Sequence, residues 1–298
     1  MIQPPSLQKN DTIGIVATGR KLDADTLQAS TRIIESWGYQ VRTGRNILSN
    51  AHHYLAGSDA ERLADLQSML DDPSIKAIIF ARGGYGTTRI LDQLNFDSFL
   101  KKPKWICGFS DITSLHLKLQ ALGVQSIHAT MPVLFSKPES ALSVESLNQI
   151  LVGKSIPLEA AFNSKNIIGK ATGPMVGGNL SLIVDSLGTS SEIDTTNKIL
   201  VIEEIEEYLY RVDRQLVQLK RAKKLQSLAG LVVGHLTDIK DPEYFGEPIQ
   251  DIILNHVREF NYPVGFAFPI GHENPNLAWI EGRHATLQVT SQKSSVTF

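Results

Sequence analysis

Apolar runs alternate with helical periodicities through the first half of the chain. Asp11 to Ala17 (Asp-Thr-Ile-Gly-Ile-Val-Ala) is continuous enough to predict a buried strand. Ala24 to Trp37 carries Leu27, Ile33, Ile34 and Trp37 at helical spacing, and Gly38 stands where a helix C-terminus favours glycine. Ser58 and Glu61 form a capping-box pair ahead of a helix through Leu70, which Pro73 closes. The pattern then predicts a strand over Ile75 to Ala81, a helix over Thr87 to Leu94, a short strand over Trp105 to Cys107 and a helix over Ile112 to Leu122 ending at Gly123. Strands that alternate with helices in this way predict an α/β fold with a parallel sheet covered on both faces.

The alternation breaks after about Pro132. One helix is predicted near Leu142 to Leu151, among Pro, Ser, Asn and Gly. The expected organisation is an N-terminal domain over 1–150, a linker over 151–170 and a C-terminal domain over 171–298. Within the last, Lys198 to Ile202 and Gly230 to Val233 read as buried strands, with a basic amphipathic helix around Val212 to Leu225 between them. His284 to Val289 alternates as a final strand.

Composition narrows the function by exclusion. The 298 residues hold 29 Lys plus Arg against 31 Asp plus Glu, a formal charge of -2, which gives no electrostatic case for nucleic acid or an anionic membrane. Cys107 is the one cysteine, so neither an internal disulfide nor a thiolate metal cluster is expected. The eight histidines show no metal-ligand spacing; adjacent His52 and His53 would point to different sides. No run of 18 apolar residues predicts a membrane span, and Met-Ile-Gln-Pro-Pro-Ser does not read as a secretion signal. The expectation is a cytoplasmic protein without metal or organic cofactor.

Trp105-Ile-Cys-Gly-Phe-Ser-Asp-Ile-Thr-Ser-Leu-His116 is the most informative segment. A strand, a sharp turn and a helix would lift the Ser110 hydroxyl to the carboxyl end of a parallel strand and leave the Asp111 N–H at a helix start. The pattern is Gly-x-Ser-Asp, so it is not the elbow of α/β-hydrolases, and Ser110 or Asp111 as a plain N-cap is the competing reading. Arg82-Gly-Gly-Tyr-Gly86 also lies between a strand and a helix. As a nucleotide loop it lacks the third glycine, Arg89 standing there; as a catalytic loop it would bring backbone N–H groups close to a substrate oxygen. Gly153-Lys154-Ser155 follows a helical stretch, with Asn148 where a phosphate loop needs its first glycine, and fails that test.

Ile199-Leu-Val-Ile-Glu-Glu-Ile-Glu-Glu207 runs a buried strand into four carboxylates, which is costly unless they are paired or used. Pro269-Ile-Gly-His272 ends another apolar stretch in a Gly/Asn/Pro loop. A serine, a carboxylate and a histidine thus each end an apolar segment, in an order that a triad permits without requiring.

Arg82-Gly-Gly-Tyr-Gly86, Gly108-Phe-Ser-Asp-Ile112, Gly177-Gly-Asn-Leu180, Ile202-Glu-Glu204 with Tyr210-Arg-Val-Asp-Arg214, and Gly271-His272 occur in this order over nearly the whole chain. Together they resemble the LD-carboxypeptidases, or muramoyltetrapeptide carboxypeptidases, a family of serine peptidases. The resemblance implies a Rossmann-like parallel-sheet N-terminal domain bearing the nucleophile and a C-terminal swivelling β/β/α-type domain bearing the rest of the triad. By motif, Ser110 matches the nucleophile, Glu203 the acid and His272 the base. The N–H groups of Asp111 and Gly84 would form the oxyanion hole, and Arg82, Tyr85, Asn179 and Glu207 are expected substrate contacts.

The implied activity removes the terminal D-alanine from a muropeptide tetrapeptide, after the L-centre of meso-diaminopimelate, in peptidoglycan recycling by a homodimer. Two alternatives stand beside it: an immunity peptidase that cleaves a peptide-nucleotide antibiotic with the same triad, and a non-enzymatic sugar- or nucleotide-binding protein. The chain departs from the family pattern at Val16-Ala-Thr-Gly19, where many relatives have Ala-Pro-Ala or Ala-Pro-Ser. Ile127-His-Ala-Thr130 replaces the usual His-Gly-Pro, Glu204 stands for Asp and Glu206 for Gly.

Overall fold

A computed structural model of the chain describes residues 1–298. Its strands form one sheet of six and one of seven. The first sheet runs, edge to edge, Gln40–Thr43, Thr12–Val16, Ile75–Phe80, Trp105–Gly108, Ser126–His128 and Trp279–Glu281. Its neighbours are parallel except at the last pair. Alternation along Ile75–Phe80 explains its burial: Ala77 and Ile79 join one apolar cluster, Ile78 and Phe80 another, so helices cover both faces. The strand order is the flavodoxin-like variant of a doubly wound sheet, and its winding reverses between Thr12–Val16 and Ile75–Phe80.

The second sheet runs Val264–Gly265, Gly230–Thr237, Ile199–Ile205, Gly169–Asn179, His284–Val289, Lys293–Thr297 and Leu158–Ala161. The first four are mutually parallel and the rest antiparallel. Ile199 and Val201 enter one core, Leu200 and Ile202 the opposite one. That parity later separates two adjacent carboxylates.

Two segments cross the expected divisions. The stretch 151–170, read as a linker, contains Leu158–Ala161, which pairs with Lys293–Thr297 at the sheet edge. Trp279–Glu281, expected in the C-terminal domain, instead extends the first sheet by pairing antiparallel with Ser126–His128. Apolar Trp279 and Ile280, both buried, gain more from covering that edge than from solvent exposure. His284–Val289 is not the last strand either, since Lys293–Thr297 returns beside it as a hairpin. Two helices are shorter than expected, Thr88–Leu91 stopping before Leu94 and Thr113–Ala121 ending before Leu122, while the basic helix is displaced toward the N-terminus and spans Leu209–Arg221.

Candidate active site

The strand Trp105–Gly108 delivers the first candidate residue, Ser110, just beyond its carboxyl end. After Phe109 the chain turns at Ser110 with φ 62°, a left-handed conformation that costs a residue bearing a Cβ about 1–2 kcal/mol. A short 3-10 turn over Ser110–Ile112 then leads into the helix Thr113–Ala121. Neither Ser110 nor Asp111 caps that helix with its side chain. Asp111 is buried and reaches sideways instead, accepting from Thr87 N at 3.0 Å and Thr87 Oγ1 at 2.7 Å. Burial, more than these donors offset, pushes its carboxyl above the usual range. Thr87 Oγ1 also lies 2.7 Å from Thr18 Oγ1, and buried Arg62 donates to the carbonyls of Thr18 and Gly86. The loops after three neighbouring strands are thereby tied together.

The Arg82-Gly-Gly-Tyr-Gly86 loop packs on the turn that carries Ser110. A Cβ on Gly83 would stand 3.0 Å from Ser110 Cβ and 3.1 Å from Ser110 Oγ, so a larger residue would crowd the hydroxyl. Gly84 adopts φ +103°, which a side chain would resist. Tyr85 is exposed, and Arg82 is half-buried with Nη1 donating to the Lys21 carbonyl at 3.1 Å.

The second sheet supplies a carboxylate and an imidazole. Glu203 continues the face of Ile199 and Val201, Glu204 that of Leu200 and Ile202. A bulge on the neighbouring strand, where Ile202 pairs with Val233 but Glu204 with Leu236, falls at this point. Fully buried Glu203 accepts from His272 Nδ1 at 2.7 Å. Glu204 faces away: its carboxylate takes Asn179 Nδ2 at 2.9 Å, Ile205 N at 2.9 Å, Ser181 N at 2.8 Å and Ser181 Oγ at 2.6 Å. Burial raises the pKa of Glu204, although those donors oppose it.

His272 is held from several sides. Gly271, at φ +119°, lets the loop approach; a Cβ there would meet Glu203 Cβ and Oε2 at 3.0 Å. Asn276 Oδ1 accepts from Gly271 N at 3.0 Å, and Ser143 Oγ and Ser146 Oγ accept from Asn276 N and Ala278 N at 2.8 and 2.9 Å. The His272 ring lies 4.8 Å from that of Phe109, centroid to centroid, beside Ser110 in the chain. Behind Phe109 sits His128, at 5.9 Å, stacked at 5.3 Å on Trp279 and kept neutral by burial. Burial alone would lower the His272 pKa, but the Glu203 charge and hydrogen bond, with Glu204 and Glu206 behind them, carry it above the ordinary imidazole range. The ring hydrogen-bonds only through Nδ1, which leaves Nε2 without a protein partner. Ser110 follows Phe109, whose ring packs on that of His272, and no hydrogen bond joins Ser110 to His272.

The remaining expected contacts divide. Asn179 is buried, bonded to Glu204 and accepting from Leu182 N at 3.3 Å as a helix cap, so it braces Glu204 and keeps one amide N–H uncommitted. Glu207 accepts from Tyr208 N at 2.8 Å and Arg211 Nη1 at 3.4 Å, bracing the turn after Glu206, whose φ is 58°. Sequence reasoning missed Thr18, Arg62, Thr87, Phe109 and Asn276; each acts through tertiary contacts, and none belongs to a motif that names its partner. Thr113, whose Oγ1 accepts from Asn179 N at 3.1 Å across the two sheets, was equally silent. No group of three or more His, Cys, Asp or Glu side chains converges to hold a metal ion, and no helix is long and apolar enough to cross a membrane.

Both halves of the chain match known proteins. Residues 13–129 match the LD-carboxypeptidase N-terminal domain, and residues 172–287 match the LD-carboxypeptidase C-terminal domain. The chain is 35% identical over 302 residues to the probable murein peptide carboxypeptidase of Bacillus subtilis, covering 99% of this chain and 93% of the relative. It is 28% identical over 289 residues to the murein tetrapeptide carboxypeptidase of Pseudomonas aeruginosa, covering 93% and 92%. The crystal structure of muramoyltetrapeptide carboxypeptidase from Oxalobacter formigenes superposes with a TM-score of 0.87 at 27% identity, covering 96% and 98%. An MccF-like protein from Bacillus anthracis shares the fold at a TM-score of 0.88 and 23% identity, covering 100% and 99%.

Proposed function

The chain belongs to the LD-carboxypeptidase family, and from that premise we propose that it is a serine carboxypeptidase acting on muropeptide tetrapeptides. It removes the terminal D-alanine by cutting the L,D bond after meso-diaminopimelate, a step of peptidoglycan recycling. The observation that carries this reading is the Glu203–His272 pair, whose imidazole packs on Phe109, the residue that precedes Ser110.

The mechanism follows from the roles those groups can take. Ser110 Oγ attacks the scissile carbonyl carbon while His272 Nε2 accepts its proton. Glu203 fixes the Nδ1–H tautomer and stabilises the imidazolium. The oxyanion is received by the backbone N–H groups of Asp111 and Gly84. Collapse breaks the C–N bond, and the imidazolium protonates the departing amine of D-alanine. Water, deprotonated by His272, then hydrolyses the Ser110 ester and restores the enzyme. No step calls on a metal or organic cofactor. Arg82 and Tyr85, on the loop beside Ser110, are the proposed substrate contacts from the first sheet. A cytoplasmic setting and a homodimer come with the reading from the family resemblance, and cell fractionation and sedimentation test them.

The test is mass spectrometry of a synthetic muropeptide panel after incubation with the purified protein. The tetrapeptide is expected to lose one alanine, while a pentapeptide ending in D-Ala–D-Ala stays intact. Release of D-alanine from the pentapeptide, with the tetrapeptide untouched, overturns the reading. An aminoacyl sulfamoyl adenosine in the same panel tests the immunity-peptidase alternative.

A further inference from the structure

Two arginines meet at the point where the first sheet reverses its winding. Arg20 follows the strand Thr12–Val16 and Arg82 follows Ile75–Phe80, and the carboxyl ends of these two strands flank the crevice where doubly wound sheets bind ligands. Arg20 N donates to the Gly83 carbonyl at 3.0 Å, and a Cβ on Gly84 would touch Arg20 Cβ at 3.1 Å. Gly83 itself packs on Ser110, so Arg20 is rooted one residue's width from the nucleophile. Gly19 permits this approach, since a Cβ there would strike the Gly83 carbonyl oxygen at 2.8 Å and Asp111 Oδ2 at 2.9 Å. That glycine and Arg20 lie in and just after the segment where the chain departs from the family pattern.

Neither guanidinium forms an ion pair within the protein. Arg20 lies over the Tyr54 ring at 5.2 Å, and the one hydrogen bond of the Arg82 side chain goes to the Lys21 carbonyl. Asp23, the acid that acts on Arg82 through space, is occupied in capping Thr26 N and Thr26 Oγ1. Burial first, and then the Arg20 charge, pull the Arg82 pKa down against the weaker opposing pull of Asp23.

We propose that Arg20 and Arg82 form the binding site for the free carboxylate at the end of the substrate. The assignment rests on the carboxypeptidase reading above and supplies what that reading lacks, a group that distinguishes a chain end from an internal bond. The terminal residue spans about 3.8 Å from one Cα to the next, so a scissile carbonyl at Ser110 puts the terminal carboxylate within reach of this crevice. Paired guanidiniums match a carboxylate in charge and in planar fork geometry.

The test compares kcat/KM for a tetrapeptide ending in free D-alanine with that for the same peptide ending in D-alaninamide. The native protein is expected to prefer the acid by about 100-fold, and Arg20→Gln, at an exposed side chain, to reduce that preference by about tenfold or more. An equal loss on acid and amide, or an undiminished preference, overturns the proposal. A second measurement is independent of turnover: the arginine Nε–Hε resonances are followed by NMR during titration with D-alanine and with D-alaninamide. A response to D-alanine alone, lost in Arg20→Gln, supports the site, and no response, or the same response to both, overturns it. Should neither tetrapeptide be cleaved, the functional reading falls while the titration still decides the carboxylate site.

Discussion

Glu203→Gln and Glu204→Gln change one atom each at adjacent positions, yet the structure assigns them opposite consequences. Glu203 holds His272 Nδ1 at 2.7 Å through one oxygen, and its other oxygen is buried without a partner. The amide therefore fits sterically and breaks no other hydrogen bond, but it cannot stabilise an imidazolium, and presented through its NH2 group it selects the wrong tautomer. The analogous change in a serine-protease triad costs roughly 10⁴-fold in kcat, so a loss of about 10³–10⁴-fold is expected here with little change in Tm. Glu204 is different, because its two oxygens accept four hydrogen bonds, two each. An NH2 group in place of either oxygen faces a backbone N–H that cannot turn away, that of Ile205 or that of Ser181.

Each hydrogen bond lost to a charged acceptor is worth about 1.5–3 kcal/mol, and relief of a buried charge offsets part of that, leaving about 3 kcal/mol. For a chain of this size the Tm should fall by about 5 °C or more, while turnover on the tetrapeptide falls less than tenfold. D-alanine release measured beside thermal unfolding separates the two outcomes.

The pH dependence supplies a second check. His272 works as a base only when neutral, and its pKa is raised, so kcat/KM should rise with pH through a limb above the ordinary imidazole range. Removing the Glu203 charge destabilises the imidazolium, and the limb should move to lower pH. By linkage, the raised pKa contributes stability that is fully present below the unfolded value and is lost as pH rises through the folded one. The stability gap between native protein and Glu203→Gln should thus be wider at pH 5 than at pH 8. An inactive Glu204→Gln beside a working Glu203→Gln would refute the assignment of faces and the mechanism with it.

Ser110→Ala should abolish turnover and leave Tm nearly unchanged, since alanine inherits the same φ of 62° and no hydrogen bond holding the fold is lost. Ser110→Gly should be equally inactive yet more stable by about 0.5–1 kcal/mol, the relief of left-handed strain less the added freedom of the unfolded chain; a lower Tm for the glycine variant would contradict the strain. Gly83→Ala, whose Cβ would sit 3.0 Å from Ser110 Cβ and 3.2 Å from Met131 Cε, should fold but lose most of its kcat/KM; full activity by the D-alanine release assay would mean that the loop does not press on the nucleophile.

Much of the first sheet was legible because a strand buried on both faces must be apolar almost throughout. Ile75–Phe80 and Trp105–Gly108 could scarcely be anything else once bounded by polar turns. The capping box at Ser58 and Glu61 was readable for a local reason: both hydrogen bonds close within four residues. Gly169–Asn179 was illegible. Its sequence, Gly-Lys-Ala-Thr-Gly-Pro-Met-Val-Gly-Gly-Asn, has no clean alternation, and only its neighbours on both sides make it an eleven-residue strand. Lys293–Thr297 carried no readable strand pattern, because Ser294 stands at an inward position where an apolar residue would have revealed the period.

The sequence by itself singled out Ser110, the acidic run and His272 as candidates, and it determined the alternation that separates Glu203 from Glu204, because side-chain direction in a strand depends on parity alone. It also determined the sharp turn at Ser110, through the residues that flank it. Only the tertiary structure decided that His272 meets Glu203 and stands beside Phe109. That meeting requires Trp279–Glu281 to leave its own half of the chain and pair with Ser126–His128, while Ser143 and Ser146 pin the segment between. Such contacts join residues 69 (Glu203 and His272) to 163 (Phe109 and His272) positions apart, and their energy resides in an edge covered and a ring packed, which no local pattern encodes.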